Sequence, residues 1–151
     1  MSSPALLPRP AGNCTILLAE DNPGDVFLVR RALDVYHVEC DLRIAKDGEE
    51  AMDLVLRADR GEFTIDLILL DLNLPRYDGS EIVAAARSGE RLKNTPIILL
   101  TSSDSPHDRV RITELGADLY FRKPSDLHSF MKIGELVQTV LAGQKGNHSA
   151  P

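Results

Sequence analysis

Three acidic residues stand at the ends of two mainly apolar runs in this sequence. Glu20 and Asp21 follow the run CTILLA, and Asp71 follows the run LILL. Further along the chain, Thr101 closes the run IILL, and Lys123 follows the short segment LYFR. Carboxylates that lie close together repel one another, so they need a cation or must shift their pKa values upward. A divalent ion such as Mg²⁺, which prefers oxygen ligands, is the simplest counter-charge.

Together these residue types are suited to holding a phosphoryl group on Asp71. The carboxylate would act as the nucleophile, while a metal ion and Lys123 would neutralise charge on the transferring group. Thr101 supplies a hydroxyl at the same place. In the following loop, NLPRYDG, Pro75 fixes a backbone angle and Gly79 permits an unusual one. We expect this loop to hold its carbonyls beside Asp71.

Short apolar runs alternate with amphipathic stretches along the chain. The predicted strands lie within 14–20, 40–48, 67–71, 96–103 and 119–124, and the predicted helices cover 25–36, 49–59, 80–92, 105–117 and 126–141. Five such alternations predict an α/β domain with a doubly wound parallel sheet. The central runs are continuously apolar, as expected when both faces of a sheet are buried. Ligands of such sheets bind beyond the carboxyl ends of the strands, where the acidic residues, the threonine and the lysine should converge.

The composition excludes several classes of protein. A chain of 151 residues with 43% hydrophobic residues fits one globular domain. No apolar run approaches the roughly 18 residues of a membrane span, and the first residues do not resemble a secretory signal. A net charge of -6 argues against nucleic acid as the main partner. Cys14 and Cys40 are interpreted as two buried thiols in a reducing compartment, so we expect a cytoplasmic protein.

At these residues the chain resembles the response-regulator receiver domain of two-component signalling. The matching pieces are LLAEDN, LLDLNLPRYDG, ILLTSS and YFRKP, and the resemblance extends over roughly residues 14–141. It implies a flavodoxin-like fold with five parallel strands in the order 2-1-3-4-5. It also implies a receiver domain over 13–141. The start at 1–12, with three prolines and a glycine, is predicted to be a flexible leader, and 142–151 a flexible tail.

The resemblance assigns a metal site. Asp71 would be the phosphoacceptor and a ligand of Mg²⁺, and Asp21 would be a direct ligand. Glu20 would act as an acidic partner through water. The backbone carbonyl of Asn73 would be a further protein ligand.

The resemblance also assigns a phosphoryl site and a switch. The Thr101 hydroxyl and the backbone N–H of Ser102 would contact phosphoryl oxygens, and Lys123 would pair with the aspartate or its phosphate. Tyr120 occupies the aromatic switch position, which moves inward as Thr101 is drawn toward the phosphate. A cis peptide bond before Pro124 is also implied.

The implied function is that of a single-domain response regulator, a signalling protein rather than an enzyme. It would take a phosphoryl group from a sensor histidine kinase and act by contact on a downstream target or a phosphotransfer protein. The segments RADRGEFTIDL and KPSDLHSFMKI resemble regulators that serve bacterial phytochrome kinases. Relatives of that type pair through the fourth helix, fifth strand and fifth helix, so we expect a homodimer through this face.

Other classes are weighed against this interpretation. A pseudo-receiver, which binds partners without phosphorylation, remains the alternative. A flavin-binding protein is disfavoured because the loop AEDNPGD would repel a phosphate, and a Rossmann dehydrogenase because no G-x-G-x-x-G follows a strand. A haloacid-dehalogenase-type phosphatase is disfavoured because that class has a D-x-D motif, whereas the residue two positions after Asp71 is Asn73.

Overall fold

The computed structural model describes residues 14–102, residue 110 and residues 114–149. The strands of this part are β1 (Thr15–Ala19), β2 (Asp41–Ala45), β3 (Leu67–Asp71), β4 (Ile97–Thr101) and β5 (Leu119–Arg122). Its helices are α1 (Pro23–Val35), α2 (Gly48–Asp59), α3 (Gly79–Ser88), α4 (Leu127–Phe130) and α5 (Lys132–Ser149). The predicted leader at 1–12 and most of the predicted helix at 105–117 lie outside the described residues.

The five strands form one parallel sheet in the order β2-β1-β3-β4-β5. This confirms the predicted strand order and the doubly wound fold. Every residue of β1, β3 and β4 is buried, which explains why these strands are apolar at successive positions rather than at alternate ones. Because all strands are parallel, their carboxyl ends meet at one edge of the sheet.

Helices cover both faces of the sheet. On one face, α2 and α3 contribute Val55 and Val83 to a buried cluster that includes Leu70 of β3. On the other face, α1 and α5 contribute Val29 and Val137 to a second cluster. Full burial of each such side chain contributes about 1.5–3 kcal/mol to folding. The two layers hold the sheet edge as a rigid platform.

Side-chain caps fix the start of three helices just beyond that edge. Asn22 precedes α1 and its side chain accepts hydrogen bonds from the N–H groups of Gly24 and Asp25. Asp47 caps α2 and Asp78 caps α3 in the same way. An N-cap of this kind contributes about 0.5–2 kcal/mol. The first turns of these helices are therefore held next to the strand ends.

The last helix differs from the prediction over 126–141. It is divided into α4 and α5, because the N–H of Gly134 donates to the carbonyl of Met131 only three residues back, which tightens the turn. Gly134 also lets α5 approach α1, since a Cβ there would overlap the carbonyl oxygen of Ala32. The helix continues to Ser149, so its predicted end at residue 141 was wrong. Glycines in that stretch weaken a helix by about 1 kcal/mol each but do not stop it as proline would.

Candidate functional site

Residues from four strand ends meet at the carboxyl edge of the sheet. Glu20 directly follows β1, Asp71 ends β3, Thr101 ends β4 and Lys123 directly follows β5. Glu20, Asp71 and Thr101 are 1%, 6% and 2% exposed. Buried polar groups at the ends of buried strands are held by the packing beneath them. The geometry is therefore that of a fixed polar pocket rather than of loose surface residues.

The Lys123 ammonium lies at the centre of this pocket. Its Nζ is 2.7 Å from Oε1 of Glu20, 2.9 Å from Oδ2 of Asp25 and 3.2 Å from Oδ2 of Asp71. An ammonium group has three N–H donors, so these three carboxylates match its full donor capacity. The backbone N–H of Lys123 donates to the carbonyl of Thr101 at 2.7 Å, which extends the β4–β5 pairing and fixes the stem of the lysine.

Backbone donors hold the other oxygens of the acidic residues. Oδ1 of Asp71 accepts the N–H of Asn73 at 2.9 Å, and Oε2 of Glu20 accepts the N–H of Asn22 at 3.2 Å. Each carboxylate is thus oriented by one backbone donor and by Lys123. The carboxylate of Asp71 is presented by a turn of its own loop, and its backbone contact brings Asn73 close to the site.

The β3–α3 loop is tied to the start of α2. The N–H of Gly48 donates to the carbonyl of Pro75 at 2.8 Å. A Cβ at position 48 would lie 2.6 Å from the backbone nitrogen of Tyr77, so only glycine allows this approach. Arg76, which lies between Pro75 and Tyr77 in the loop, has a φ of 83°, a left-handed conformation that a non-glycine residue rarely adopts. The loop that carries Asn73 is therefore held by backbone contacts, as its proline suggested.

Burial and the contacts among these charged groups change the pKa values of Glu20 and Lys123. The pKa of Glu20 is raised from 4.5 to about 7, because burial and the adjacent Asp71 raise it by more than the hydrogen bond from Lys123 lowers it. Burial opposes the charge of Lys123, but its hydrogen bonds with Glu20 and Asp25 outweigh this effect and raise the pKa of the lysine above its ordinary value. The lysine stays charged, and the pocket carries more negative charge than one ammonium neutralises.

Three carboxylates in the described part of the chain could hold a metal ion together. Ligand oxygens of Glu20, Asp21 and Asp71 lie within 4.8 Å of one another. Asp21 is exposed whereas its two neighbours are buried, so a cation could enter from the solvent and keep some of its waters. An oxygen-only donor set with an open side fits Mg²⁺ and similar divalent ions.

The remaining predicted residues lie around this pocket. Tyr120 is in register with Leu99, and side chains alternate along a strand, so Tyr120 lies on the same face of the sheet as Thr101. Tyr120 is partly buried against the cluster beneath α2 and α3. Ser102 is exposed just beyond β4. The peptide bond before Pro124 is trans, so the expectation of a cis bond was wrong.

One site residue was missed from the sequence. Asp25 lies in the first turn of α1, and its side chain contacts Lys123 across the edge of the sheet. An acid in the first turn of a helix is common because it interacts favourably with the helix dipole, which hid this second contact. Asp25 is part of the acidic segment AEDNPGD, but its position there does not indicate a contact with Lys123.

This combination of a parallel 2-1-3-4-5 sheet, an acidic group at its edge and a central lysine agrees with the family comparison. The family model described as "Response regulator receiver domain" matches residues 16–134. The chain belongs to this family. The resemblance stated above is therefore confirmed.

Known receiver proteins support the same assignment. "Response regulator Rcp1" of Synechocystis sp. is 34% identical over 128 residues, which cover 82% of this chain and 86% of Rcp1. The crystal structure of "the Phosphorylated Cyanobacterial Phytochrome Response Regulator RcpA" is similar with a TM-score of 0.76 and 30% identity, and the match covers 87% of this chain and 96% of RcpA. The Mn²⁺-bound form of Rcp1 has a TM-score of 0.73 and 32% identity, over 83% of this chain and 92% of the other.

These matches place the receiver domain among regulators that include phytochrome response regulators, as the predicted resemblance did. The matches cover most of the length of each of these proteins. As for membranes, the helices of the described residues include none that is both long and apolar enough to cross one.

Proposed function

We propose that this receiver domain is a single-domain response regulator that accepts a phosphoryl group on Asp71 from a sensor histidine kinase. The observation that carries the proposal is the Lys123 ammonium, which joins Asp71 to a second buried carboxylate, Glu20, at the strand ends. A strand-end acid that served only to cap a loop would not need a buried lysine and further acids around it. A phosphoryl acceptor does, because charge on the transferring group must be neutralised.

In the proposed reaction, a carboxylate oxygen of Asp71 attacks the phosphorus atom carried by the kinase histidine. The P–O bond to Asp71 forms as the P–N bond to the histidine breaks, and the histidine nitrogen leaves with the bonding electron pair. Lys123 neutralises developing charge beside Asp71, and the backbone N–H of Asn73 keeps the carboxylate oriented. Positioning and electrostatics do most of the work, since the carboxylate is already an adequate nucleophile.

The acidic group fits Mg²⁺ as the cofactor. Asp21 and Asp71 would hold the ion with the carbonyl of Asn73, and Glu20 would act through water. When bound, the ion supplies positive charge for the phosphoryl oxygens. The Mn²⁺-bound structure of Rcp1 is that of a similar protein with a divalent ion, and it supports this assignment.

Signalling would follow from a shift between two populations. The Thr101 hydroxyl and the N–H of Ser102 would bind phosphoryl oxygens, and Tyr120 would move toward the space that Thr101 leaves. Phosphate on Asp71 favours this second form because only that form offers the extra contacts. Tyr120 lies on the same face of the sheet as Thr101, which is the arrangement such a coupled movement needs.

The partners follow from the family and from the exposed surface. A bacterial phytochrome is our candidate for the kinase, because RcpA is described as a phytochrome response regulator. The output would pass to a downstream protein or a phosphotransfer protein, and we expect this to occur in the cytoplasm. The receiver domain that carries out these contacts would cover residues 13–141. We assign this protein to signalling rather than to an enzyme class.

A homodimer would use the predicted fourth helix, β5 and the last helix. Among the described residues of these elements, Val110 and Leu119 are 58% and 41% exposed, and β5 is an edge strand. Native mass measurements at tens of micromolar should show a dimer that the phosphoryl mimic strengthens. Monomer alone, with and without the mimic, would contradict this part of the proposal.

The main experiment is beryllofluoride binding in Mg²⁺, followed by amide chemical shifts. In the wild type, we expect Mg²⁺-dependent changes that spread from Asp71 to Tyr120 and α5. Asp71→Asn should abolish them, whereas the matched control Asp34→Asn, an exposed substitution on α1, should leave them intact. A wild type that does not respond would instead indicate a pseudo-receiver, and full phosphate labelling of Asp71→Asn would show that the nucleophile is another residue.

A further inference from the structure

Asp25 has no role in the reaction described above, yet it makes one of the shortest contacts in the site. Its Oδ2 is 2.9 Å from Nζ of Lys123, whereas Oδ2 of Asp71 is 3.2 Å from that Nζ. Its side chain is 22% exposed, and that of Lys123 is 11% exposed. Because this pair is partly shielded from water, its attraction is screened less than that of a surface pair.

The position of Asp25 is set by the start of α1. The side chain of Asn22 accepts the N–H groups of Gly24 and Asp25 at 2.8 and 3.3 Å, and Pro23 starts the helix with its fixed backbone angle. Asp25 is thus carried by a rigid first turn, on the side of the pocket where Lys123 lies. Its contact with the lysine is a product of helix placement rather than of a mobile loop.

Asp25 contacts the lysine and is not one of the candidate cation ligands. Among the described residues, the carboxylates close enough to share one ion are those of Glu20, Asp21 and Asp71, and Asp25 is not in that group. It still adds one negative charge within hydrogen-bond distance of the Lys123 ammonium, which Glu20 and Asp71 also contact. Two effects follow, an attraction for a cation and a competition for Lys123.

The competition follows from the number of donors on the lysine. Each of its three N–H donors already has a carboxylate acceptor. A phosphoryl oxygen on Asp71 is a further acceptor, so it can bind the lysine only if an existing contact weakens. Glu20 is almost fully buried at 1% exposed and holds the shortest contact, whereas Asp25 is the more exposed partner.

We propose that Asp25 is a positioning residue that draws Lys123 away from Asp71, so that it favours cation binding and opposes phosphoryl binding. The inference rests on the proposed function, since it concerns the same lysine and the same aspartate. Asp25 biases the protein toward its unphosphorylated form, and phosphorylation must overcome that bias.

The test is a pair of titrations on Asp25→Asn, which keeps the shape and an acceptor oxygen but removes the charge. Because the chain has no tryptophan to report binding by fluorescence, both titrations are followed by amide chemical shifts. Mg²⁺ is titrated first, and beryllofluoride is then titrated at saturating Mg²⁺. We expect Mg²⁺ to bind about threefold more weakly because one negative charge is lost. We expect beryllofluoride to bind about threefold to fivefold more tightly, as befits the loss of one partly exposed ion pair.

The two affinities are expected to change in opposite directions in Asp25→Asn, and this distinguishes the proposed role from a structural one. If Asp25 only supports the fold, both affinities should fall together, and if it holds Lys123 in its active place, beryllofluoride binding should weaken while Mg²⁺ binding is unchanged. Either result would overturn the inference. Asp34→Asn removes the same charge from the same helix and should change neither affinity by more than about 1.5-fold; equal effects of the two variants would also refute it.

A Lys123→Ala background tests whether the lysine carries the effect. There, Asp25→Asn should change beryllofluoride affinity no more than Asp34→Asn does. An undiminished gain would show direct repulsion of the anion by Asp25 and would refute the role through Lys123. If the wild type itself binds no beryllofluoride in Mg²⁺, the proposed function fails and this inference fails with it. If the wild type binds beryllofluoride but the Mg²⁺ and beryllofluoride affinities of Asp25→Asn change in the same direction, only the inference is rejected.

Discussion

Replacing Glu20 with glutamine tests how much the acidic pocket destabilises the protein without a cation. Burial raises the pKa of Glu20 from 4.5 to about 7, despite the hydrogen bond from Lys123. The folded protein therefore binds this proton more tightly than the unfolded chain, so the contribution of Glu20 to stability falls as pH rises between these two values. A pKa rise of this size corresponds to about 3 kcal/mol of lost stability above pH 7.

Glu20→Gln removes the charge while keeping the volume and one acceptor oxygen for Lys123. At pH 4, below both pKa values, Glu20 is mostly protonated in the folded and in the unfolded wild type, so the two proteins should have nearly the same free energy of unfolding. At pH 8 in EDTA, the variant should be more stable by up to about 3 kcal/mol. Urea denaturation at several pH values gives this difference directly, and subtracting the wild-type curve removes contributions from other titrating groups.

Two further measurements make the test specific. Glu90→Gln replaces an exposed glutamate and should shift stability by less than about 0.5 kcal/mol at every pH. Excess Mg²⁺ should stabilise the wild type more than Glu20→Gln, so the gap at pH 8 should narrow. The reasoning is refuted if the wild type is as stable as Glu20→Gln at pH 8 in EDTA, or if the difference grows toward low pH.

Three other predictions follow from the described contacts. Arg87→Met should lower the free energy of unfolding by about 2–4 kcal/mol, measured in urea, because Arg87 donates to the carbonyl of Thr95 and to Asp118, each at 2.7 Å. Gly48→Ala should displace the β3–α3 loop, weaken Mg²⁺ binding in a titration and cost about 1–3 kcal/mol of stability. Lys123→Ala should keep part of the beryllofluoride binding yet lose the distant amide shift changes, if the proposed switch depends on the contact between Lys123 and the phosphoryl group.

Each substitution has a matched control. Arg31→Met replaces an exposed arginine on α1, and a loss of stability equal to that of Arg87→Met would contradict the role of the Arg87 contacts. Gly143→Ala adds a methyl group where nothing lies within 4 Å, so it should raise helix stability by about 0.5–1 kcal/mol. If Gly48→Ala behaves like Gly143→Ala, the loop is not held as described. Distant shifts that persist in Lys123→Ala would show that the switch does not need the lysine.

The sheet could be predicted because its physical signal is local. Buried parallel strands require continuous apolar runs, and TILLA, LILLD and IILLT are such runs. The starts of the first three helices also have a local signal, because Asn22, Asp47 and Asp78 are residue types that favour the N-cap position. The end of α5 could not be found in this way, because glycine discourages a helix without a fixed stopping point.

The site was predictable where it depends on strand ends and not where it depends on helix packing. Glu20, Asp71 and Lys123 converge because parallel strands share one edge, which topology alone requires. Asp25 reaches the same lysine only because α1 packs against the sheet at a particular angle, and that angle depends on contacts such as the close approach of α5 at Gly134. No spacing along the chain encodes it, so a long-range contact of this kind was missed.

The contact between Lys123 and Glu20 joins residues 103 positions apart. During synthesis, the chain emerges from its amino terminus and domains fold in that order, so Glu20, Asp21 and Asp71 leave the ribosome well before the lysine. Until β5 joins the edge of the sheet, the acidic residues lack their ammonium partner. A nascent chain is therefore unable to complete the pocket until almost the whole domain has been made.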